Sequence, residues 1–389
     1  MNDARVILKK GKAGAALGGH PWIYDWMIDQ VEDGLEDGAP VKVMAGENRF
    51  IGHGLWNASG EIRVRLYSWD EERPFSKELI VARLSEAWAL RVRLGMADPS
   101  GACRLLMGDA EGLSGLVVDR YADSLVAQVN ASGLRSHLDA IVGALGAVAS
   151  AKRVQIRMPQ PLAQERGRTY VAHGSEPEAP VEIHLHGLRF AVDLRSEQKT
   201  GFYLDQTLNR VAASRYAPGL DVLDLYAHTG GFGIHCAAAG ARSVISVDSS
   251  EAAIALARHN AALNGCKNVD AVVADAMAYL TENTRKFGMV VLDPPKFAAG
   301  SSSKEKALAM YHRVNQTALG ALEKGGVFVT SSCSGRIDAH EWNSMLASAA
   351  RRSGRFLKRL ELRGASPDHP VSLHCRETEY LKCAIFIAD

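Results

Sequence analysis

From about residue 205 onward, the chain alternates short apolar segments with longer amphipathic ones, and this alternation restricts the fold more than any other feature. The short segments have the length of buried strands, whereas the longer ones repeat apolar residues with the helical period. Strands are predicted at Val222–Leu225, Ser243–Val247, Val269–Val273, Met289–Leu292 and Val327–Thr330. Helices are predicted at Gly233–Ala239, Glu251–Asn264, Ala276–Asn283 and Lys304–Leu322. This order predicts a parallel, doubly wound α/β sheet with ligands at the carboxyl ends of its strands.

Two further regions precede this sheet, and a length of 389 residues fits two or three domains. Residues 1–73 predict a small, mostly β domain whose core is anchored by the aromatic residues of His20–Met27. Residues 74–195 begin with a helix at Lys77–Met96 and predict an α+β domain. Residues 196–389 hold the doubly wound sheet. The first two regions also contain a helix near Ser136–Val148 and predicted strands at Val6–Leu8, Pro40–Val43, Phe50–Gly54, Ile62–Tyr67, Leu116–Val118, Ser124–Val129, Val154–Ile156, Glu182–Leu185 and Phe190–Leu194.

The composition excludes several classes of protein. Hydrophobic residues make up 47% and charged residues 23%, which argues against disorder or a coiled coil. Lys and Arg number 45 against 44 Asp and Glu, so nucleic acid must be bound by local patches rather than by bulk charge. The six cysteines form no CxxC pair, and no targeting or membrane-spanning segment is visible. These features predict a cytoplasmic protein with no disulfide framework, no metal and no membrane partner.

The segment Asp221–Gly233, DVLDLYAHTGGFG, predicts a ligand close to the backbone, because a strand runs into a glycine-rich turn that opens a helix. The spacing of Gly230, Gly231 and Gly233 does not match the G-x-G-x-x-G pattern of dinucleotide sites. The charge of Asp224 would also oppose a pyrophosphate. S-adenosylmethionine (SAM) has no phosphate, and its ammonium favours a carboxylate at this place.

Two further acidic residues end the next predicted strands. Asp248 lies about 24 residues after Asp224, placed to accept hydrogen bonds from ribose hydroxyls. Asp275 is placed to accept one from an adenine amine. A single strand-end Asp often only caps the following helix, and that alternative stands for each residue alone. Three such residues in order, together with the glycine turn, favour SAM binding.

The segment Val291–Phe297, VLDPPKF, follows the fourth predicted strand and directs Asp293 toward the substrate. Pro294 and Pro295 force a rigid, extended exit from that strand. A buried carboxylate can hold a nucleobase by accepting an exocyclic N–H or by sharing a proton with a ring nitrogen. The alternative is a proline-stiffened turn with a capping Asp.

The segment Thr330–Gly335, TSSCSG, places Cys333 where the fifth strand ends. The ring carbons of cytosine and uracil are too weakly nucleophilic to attack SAM directly. A thiolate that adds to C6 turns C5 into an enamine-like carbon that takes the methyl group, and loss of the C5 proton then expels the enzyme. We predict that Cys333 is this nucleophile. Cys236 is its rival, and a small core residue is the alternative role for either.

The segment Glu197–Gln206, EQKTGFYLDQ, combines a glycine and aromatic residues with polar side chains, as in a tight lid over a ligand. Gln198, Lys199 and Asp205 would be polar contacts of that ligand. An interdomain linker turn is the alternative.

The segments EQKTGFYLDQ, HTGGFG, DPPKF and SSCSG, in this order, resemble the PUA-domain ribosomal RNA cytosine-5 methyltransferases, which act on 23S RNA. KKGKAGAALGGHPWIY resembles the family's N-terminal PUA domain, an RNA-binding β-barrel, and EGLSGLVVDRYADSLVAQV resembles its central domain. DHPV and EYLKC match its C-terminal end. The resemblance covers nearly the whole chain. It implies a Rossmann-like, class I SAM methyltransferase domain at the C-terminal end.

The resemblance also implies roles for individual residues. Cys333 becomes the nucleophile and Asp293 the acid that holds the base, with Pro294 and Lys296 beside the substrate. Related RNA cytosine-5 methyltransferases carry a second cysteine at the position of Lys296, so product release must run differently here. His228 departs from the family pattern in the turn. The residues implied to contact SAM are Asp224, Gly230, Asp248, Asp275, Gln198, Phe202 and Asp205.

Basic residues gather in three clusters, at Lys9, Lys10 and Lys12, at Arg63 and Arg65, and at Arg351, Arg352, Arg355, Lys358 and Arg359. The first two fall in the region that resembles a PUA domain. Phosphate contacts are therefore expected there, with Lys9 and Lys10 as substrate-binding residues. The third cluster is predicted to be a surface helix.

These observations predict an enzyme that forms 5-methylcytosine in large-subunit ribosomal RNA through a covalent adduct between Cys333 and C6. The target base must leave its stack to reach the thiol. The alternatives are methylation of a base nitrogen or of uracil C5, and a non-catalytic RNA-binding ribosome assembly factor. The oligomeric state stays open, with a homodimer as one option.

Overall fold

The computed structural model describes residues 4–46, 49–158, 168–176, 180–195, 201–297 and 303–389. Two compact units make up the chain. The first comprises Met1–Ile183, Asp193–Gly201 and Pro367–Thr378, and the second comprises the remainder. The predicted domain boundaries near residues 73 and 195 stay predictions. Within the described ranges, no helix combines the length and the apolar character needed to cross a membrane.

The first unit begins with a mixed six-stranded sheet. Its strands and one short helix are β1 (Ala4–Leu8), α1 (Gly14–Leu17), β2 (Trp22–Tyr24), β3 (Ile28–Val31), β4 (Pro40–Ala45), β5 (Arg49–Trp56) and β6 (Ile62–Ser68). The strand order is β2-β6-β5-β4-β1-β3, in which β1 and β4 are parallel and the other neighbours antiparallel. Alternate residues such as Val41, Val43, Val64 and Leu66 are fully buried, as the two-residue period of a strand requires.

The aromatic residues of His20–Met27 do not all anchor this core, so that prediction is wrong for Trp26, which is 57% exposed. The chain forms a short 3₁₀ turn at Asp25–Met27, and Met27 rather than Trp26 is buried there. Tyr24 stacks on the outward-facing Trp26, with ring centroids 5.9 Å apart.

A five-stranded sheet completes the first unit. Its elements are α2 (Lys77–Arg93), β7 (Ala102–Met107), β8 (Leu116–Tyr121), β9 (Ser124–Val129), α3 (Leu138–Ala149), β10 (Arg153–Met158) and β11 (Arg168–His173). The strand order is β11-β10-β9-β8-β7. Helix α2 begins where Ser76 Oγ accepts a hydrogen bond from the Leu79 N–H. Leu79 and Leu84 then join the buried core of this sheet. A separate hairpin follows, of β12 (Val181–Leu185) and β13 (Leu188–Val192).

The second unit contains a seven-stranded sheet. Its elements are α4 (Thr207–Ser214), β14 (Asp221–Leu225), α5 (Gly231–Ala238), β15 (Ser243–Asp248), α6 (Glu251–Leu263), β16 (Val269–Val273), α7 (Ala276–Glu282), β17 (Phe287–Leu292), α8 (Lys304–Gly320), β18 (Leu322–Ser332), α9 (Ala339–Arg352), β19 (Leu357–Arg363) and β20 (Lys382–Ala388). The strand order is β16-β15-β14-β17-β18-β20-β19. The first five of these strands are mutually parallel, whereas β20 runs antiparallel to both β18 and β19.

Helices cover both faces of this sheet, as successive strand residues show. Val222 packs with residues of α4 and α5, whereas its neighbour Leu223 packs with residues of α8 and α9. In β17, Met289 packs on the same side as Val222, and Val290 packs on the same side as Leu223. Both faces are apolar because each is buried under helices. The predicted doubly wound, Rossmann-like α/β fold is confirmed.

The third basic cluster does not form one surface helix, so that prediction is wrong. Helix α9 ends at Arg352, and Lys358 and Arg359 lie on β19 instead. Strand β19 lies at the edge of the sheet and exposes Leu360 and Leu362, so its pattern lacks the apolar alternation of a half-buried strand.

Candidate active site

The carboxyl edge of the seven-stranded sheet gathers most of the side chains that the sequence singled out. Strands β16, β15, β14, β17 and β18 are parallel neighbours, so their carboxyl ends meet at one edge. Asp275, Asp248, Asp224, Asp293 and Cys333 lie at or within two residues of these ends, in this order. The three residues predicted to contact the cofactor therefore occupy one half of the edge, and the two predicted to act on the substrate occupy the other.

The turn after β14 has a backbone that side chains rarely adopt. Tyr226 and His228 have φ angles of +60° and +50°, and Gly230, which begins α5, has +83°. A Cβ atom on Gly231 would lie 2.6 Å from Arg210 Nε, and one on Gly233 would lie 2.5 Å from Ser246 Oγ. Two strained non-glycine residues beside three glycines are typical of a functional turn rather than of a simple connection.

Asp224 lies at the base of this turn and is 1% exposed. Its Oδ2 accepts hydrogen bonds from the backbone N–H of Gly233 at 2.8 Å and from the hydroxyl of Ser246 at 3.5 Å. Burial raises the pKa of Asp224 to about 7, against the Gly233 hydrogen bond and with support from the charge of Asp293. A bound cation would favour the ionised form of this carboxyl again, so the site suits a ligand with an ammonium group.

The next two acidic residues are engaged by backbone N–H groups. Asp248 accepts a 2.9 Å hydrogen bond from His228 through Oδ2 and another from Ser250 through Oδ1. Asp275 accepts from the Ala278 N–H at 2.9 Å and caps α7. Asp275 thus has the helix-capping role that the sequence analysis gave as its alternative.

Arg210 on α4 is the residue of this edge that the sequence analysis missed. It is 5% exposed, and its guanidinium carbon lies 4.3 Å from the ring centroid of Phe202. Its Nε and Nη1 atoms are buried and find no hydrogen-bond partner among the residues that the structure describes. Burial lowers the pKa of Arg210 to about 10, although the charges of Asp293, Asp205 and Asp224 oppose this. Unsatisfied N–H groups on a buried guanidinium fit an anionic group of a ligand, a carboxylate above all.

Only part of the predicted lid can be placed. Gln198 lies outside the described residues, whereas Phe202 is buried and Asp205 is half-buried. Asp205 Oδ2 accepts a 2.8 Å hydrogen bond from the hydroxyl of Tyr380, which ties this segment to the chain that leads into β20. Arg210 closely follows the EQKTGFYLDQ segment, and this position was the signal in the sequence that could have pointed to it.

Asp293 is half-buried and held by a relay of side-chain amides. Its Oδ1 accepts a 2.9 Å hydrogen bond from Gln206 Nε2, and Gln206 Oε1 accepts one of 2.7 Å from Asn209 Nδ2. The second bond fixes which end of the Gln206 amide faces Asp293. Of the neighbouring predicted substrate contacts, Pro294 is buried and Lys296 is exposed.

Cys333 is half-buried directly after β18 and shares its surroundings with Tyr311. Tyr311 is fully buried on α8, and its hydroxyl lies 3.5 Å from the carbonyl oxygen of Pro295. Burial raises the pKa of Tyr311 to about 12, and negative charge at Cys333 and at Asp293 adds to that rise. Both predicted reaction residues therefore lie within electrostatic reach of one phenol.

The other cysteines are either fully buried or lie away from the carboxyl edge. All six lie within the described residues, and none of them is joined in a disulfide. Cys236, the rival from the sequence, is fully buried, and burial raises the pKa of its thiol strongly. Cys266 is half-buried but precedes β16, at the amino edge of the sheet. Burial also raises the thiol pKa to about 12 in Cys103, Cys375 and Cys383.

The two basic clusters that were expected to contact phosphate differ in their surroundings within the first unit. Lys9 and Lys10 are exposed, and Lys12 lies 5.3 Å from the ring centroid of the exposed Trp26. Arg65 instead forms an ion pair with Asp109 at 3.1 Å. Arg63 donates to the carbonyl oxygen of Ala58 and stacks on Trp56. Both arginines thus have contacts within the protein, and phosphate contacts at Arg63 and Arg65 stay a prediction.

Comparison with protein families and with solved structures agrees with this geometry. Residues 6–69 match the family model of a PUA-like domain, and residues 116–373 match that of an S-adenosylmethionine-dependent methyltransferase. The ribosomal RNA large subunit methyltransferase I of Aeromonas salmonicida is 36% identical over 385 residues, which cover 97% of each chain.

Two solved structures share the fold over almost their whole length. One, assigned as a SAM-dependent methyltransferase from Streptococcus mutans, has a TM-score of 0.84 at 19% identity and covers 98% of this chain and 99% of its own. The other, assigned as a methyltransferase and solved in complex with S-adenosylhomocysteine (SAH), has a TM-score of 0.85 at 18% identity and covers 98% and 100%. At this identity the likeness concerns the fold.

Proposed function

The chain belongs to the S-adenosylmethionine-dependent methyltransferases, and we propose that it transfers the methyl group to C5 of a cytosine in large-subunit ribosomal RNA. The observation that carries the proposal is the half-buried Cys333 on the strand next to the one that presents Asp293. A thiol and a carboxyl at adjoining strand ends suit a reaction that adds sulfur to a base while gripping the edge of that base. The name of the 36% identical relative supports ribosomal RNA as the substrate.

The residues of the first three strand ends fit SAM, which supplies an electrophilic methyl group when bound. The buried carboxyl of Asp224 suits its ammonium, and the unsatisfied guanidinium of Arg210 suits its carboxylate. Gly230 and its neighbouring glycines let the cofactor approach the backbone. Asp248 and Asp275 would accept hydrogen bonds from the ribose hydroxyls and the adenine amine.

Cys333 and Asp293 would act on different atoms of the base. The Cys333 thiolate would add to C6 and leave electron density at C5, which would take the methyl group that SAM supplies, with release of SAH as the S–methyl bond breaks. Asp293, fixed by Gln206, holds the Watson–Crick edge and shares a proton with the ring nitrogen, which makes C6 more electrophilic. Loss of the C5 proton re-forms the ring double bond and releases the sulfur. Pro294 and Lys296 would contact the nucleotide beside the flipped base.

RNA binding outside the carboxyl edge would use the face of the first unit that carries Lys9, Lys10 and Lys12. Their ammonium groups can neutralise phosphates, and the stacked pair of Tyr24 and the exposed Trp26 offers a surface for an unpaired base. These contacts would add affinity without reading the sequence of the RNA.

Nucleoside mass spectrometry of unmodified large-subunit RNA after incubation with SAM tests the proposal. We expect 5-methylcytosine with the unchanged protein and with Cys266→Ala, the matched accessible cysteine, but none with Cys333→Ala. RNA containing 5-fluorocytidine should form a covalent adduct with the unchanged protein and with Cys266→Ala but not with Cys333→Ala, because the C5 fluorine cannot leave as a proton. A methylated purine, or a fully active Cys333→Ala protein, would instead favour a nitrogen methyltransferase.

A further inference from the structure

Lys382, the first residue of β20, is bound to the loop that carries Cys333. Strand β20 pairs antiparallel with β18, and Lys382 lies opposite Ser332 in that ladder. Its ammonium donates hydrogen bonds to the carbonyl oxygens of Ser334 at 2.7 Å, Ile337 at 2.7 Å and Tyr380 at 3.1 Å. One lysine thus engages the residue before Cys333 through the strand pairing and the residue after it through its side chain.

The charge of this lysine is not neutralised by its own hydrogen bonds. An ammonium has three N–H groups, and all three of these bonds end on neutral carbonyl oxygens rather than on carboxylates. The side chain is half-buried, so the charge is screened less than on an open surface. Burial lowers the pKa of Lys382, and a thiolate at Cys333 opposes that effect more strongly than the carboxylates of Glu379 and Asp338 do.

Two further ionisable groups lie in this part of the site. Tyr311 on α8 is a neutral phenol at ordinary pH, and Asp293 after β17 contributes negative charge. Negative charge disfavours a thiolate, whereas a nearby ammonium favours it. Among the described residues, Lys382 is a cation whose charge favours a thiolate at Cys333, whereas the charge of Asp293 disfavours it.

We propose that Lys382 is a positioning residue that fixes the Cys333 loop and keeps the Cys333 sulfur in its reactive thiolate form. The inference rests on the nucleophilic role proposed for Cys333. It adds that the nucleophile is prepared by a strand that follows it in sequence by almost fifty residues.

Alkylation of the apo protein by iodoacetamide across a pH series, resolved by peptide mass spectrometry, tests this inference without RNA or SAM. Three variants separate charge from hydrogen bonding. Lys382→Gln keeps N–H donors but loses the charge, Lys382→Arg keeps both, and Lys382→Met keeps neither. Cys266, half-buried in the same chain, is the internal control.

We expect the alkylation midpoint of Cys333 to rise by about one pH unit or more in the Gln and Met variants and by far less in the Arg variant. The midpoint of Cys266 should not move. Thermal melts and SAH binding check that each variant is folded. If the Met variant does not fold, the Gln variant alone tests the effect of the lost charge.

An unchanged Cys333 midpoint in a folded Gln variant would overturn the inference, as would an ordinary midpoint near 8.5 in the unchanged protein. Faster alkylation at every pH with the same midpoint would mean that Lys382 only restrains the loop. Loss of the proposed function itself would look different, because Cys333→Ala would then still methylate RNA whatever the alkylation profile.

Discussion

The two halves of the carboxyl edge hold their acidic groups in different ways. In the cofactor half, formed by Asp224, Asp248 and Asp275, each carboxylate accepts at least one hydrogen bond from a backbone N–H. In the substrate half, formed by Asp293 and Cys333, side chains provide contacts of this kind: the Gln206 amide donates to Asp293, and the Lys382 ammonium binds the loop of Cys333.

This difference follows what each half must bind. SAM is the same molecule in every turnover, so its half can be built into the backbone at helix starts and in one strained turn. A base that enters from folded RNA needs groups that can be adjusted around it, and side chains supply them. Substitutions in the substrate half should therefore affect the reaction, and those in the cofactor half should affect cofactor affinity and stability.

The largest effect is expected in the substrate half. Asp293→Asn should lower the methylation rate by about 10²–10⁴-fold, because an amide cannot share a proton with the ring nitrogen. The affinity for SAH, measured by calorimetry, should change by less than about threefold. Asp270→Asn, an exposed strand residue of the same sheet, is the control. Equal losses of rate and of SAH affinity would erase the distinction between the halves.

An intermediate effect is expected at Arg210 in the cofactor half. Arg210→Met should weaken SAM binding by about 10–100-fold, because a charge-assisted hydrogen bond to the carboxylate is lost. Decarboxylated SAM lacks that carboxylate, so its affinity should hardly differ between the two proteins. Both are measured by calorimetry. An equal loss for the two ligands would assign Arg210 to packing against Phe202 and not to the ligand.

The smallest effect is expected in the pH dependence of stability at Asp224. Its pKa of about 7 when folded exceeds the ordinary value of 3.8, so the folded apo protein retains a proton that the unfolded chain has lost between about pH 4 and 7. The unchanged protein should lose stability as pH rises through this window, whereas Asp224→Asn should not. The unfolding free energy of Asp224→Asn minus that of the unchanged protein should therefore increase by about 1–2 kcal/mol from pH 5 to pH 8.

Urea titrations of the apo proteins measure this difference. Asn can still accept the Gly233 N–H bond, so the comparison isolates the charge. Parallel stability curves for the two proteins would mean that Arg210 compensates the carboxylate fully, and the cofactor half would then hold a matched ion pair.

The sequence predicts the parallel part of the fold well because its signals are local. Apolar runs and turn residues directly predict strand β14, its glycine turn and the following helix. Cys333 and Asp293 were singled out because each directly follows such an apolar run. Arg210 closely follows the EQKTGFYLDQ segment and Lys382 lies within EYLKC, but both were missed because neither segment indicates what its basic side chain contacts. Arg210 is defined by a turn that follows it, and Lys382 acts on a loop that pairing alone brings to it.

Strand β20 also fixes the order in which the molecule can be completed. It lies between β18 and β19 although it follows both in sequence, so β19 is synthesised before its neighbour β20 exists. The lysine that clamps the Cys333 loop is the first residue of that late strand. A nascent chain can thus complete the elements of its cofactor turn early, but the loop of the proposed nucleophile Cys333 lacks its contact with Lys382 until β20 has been synthesised.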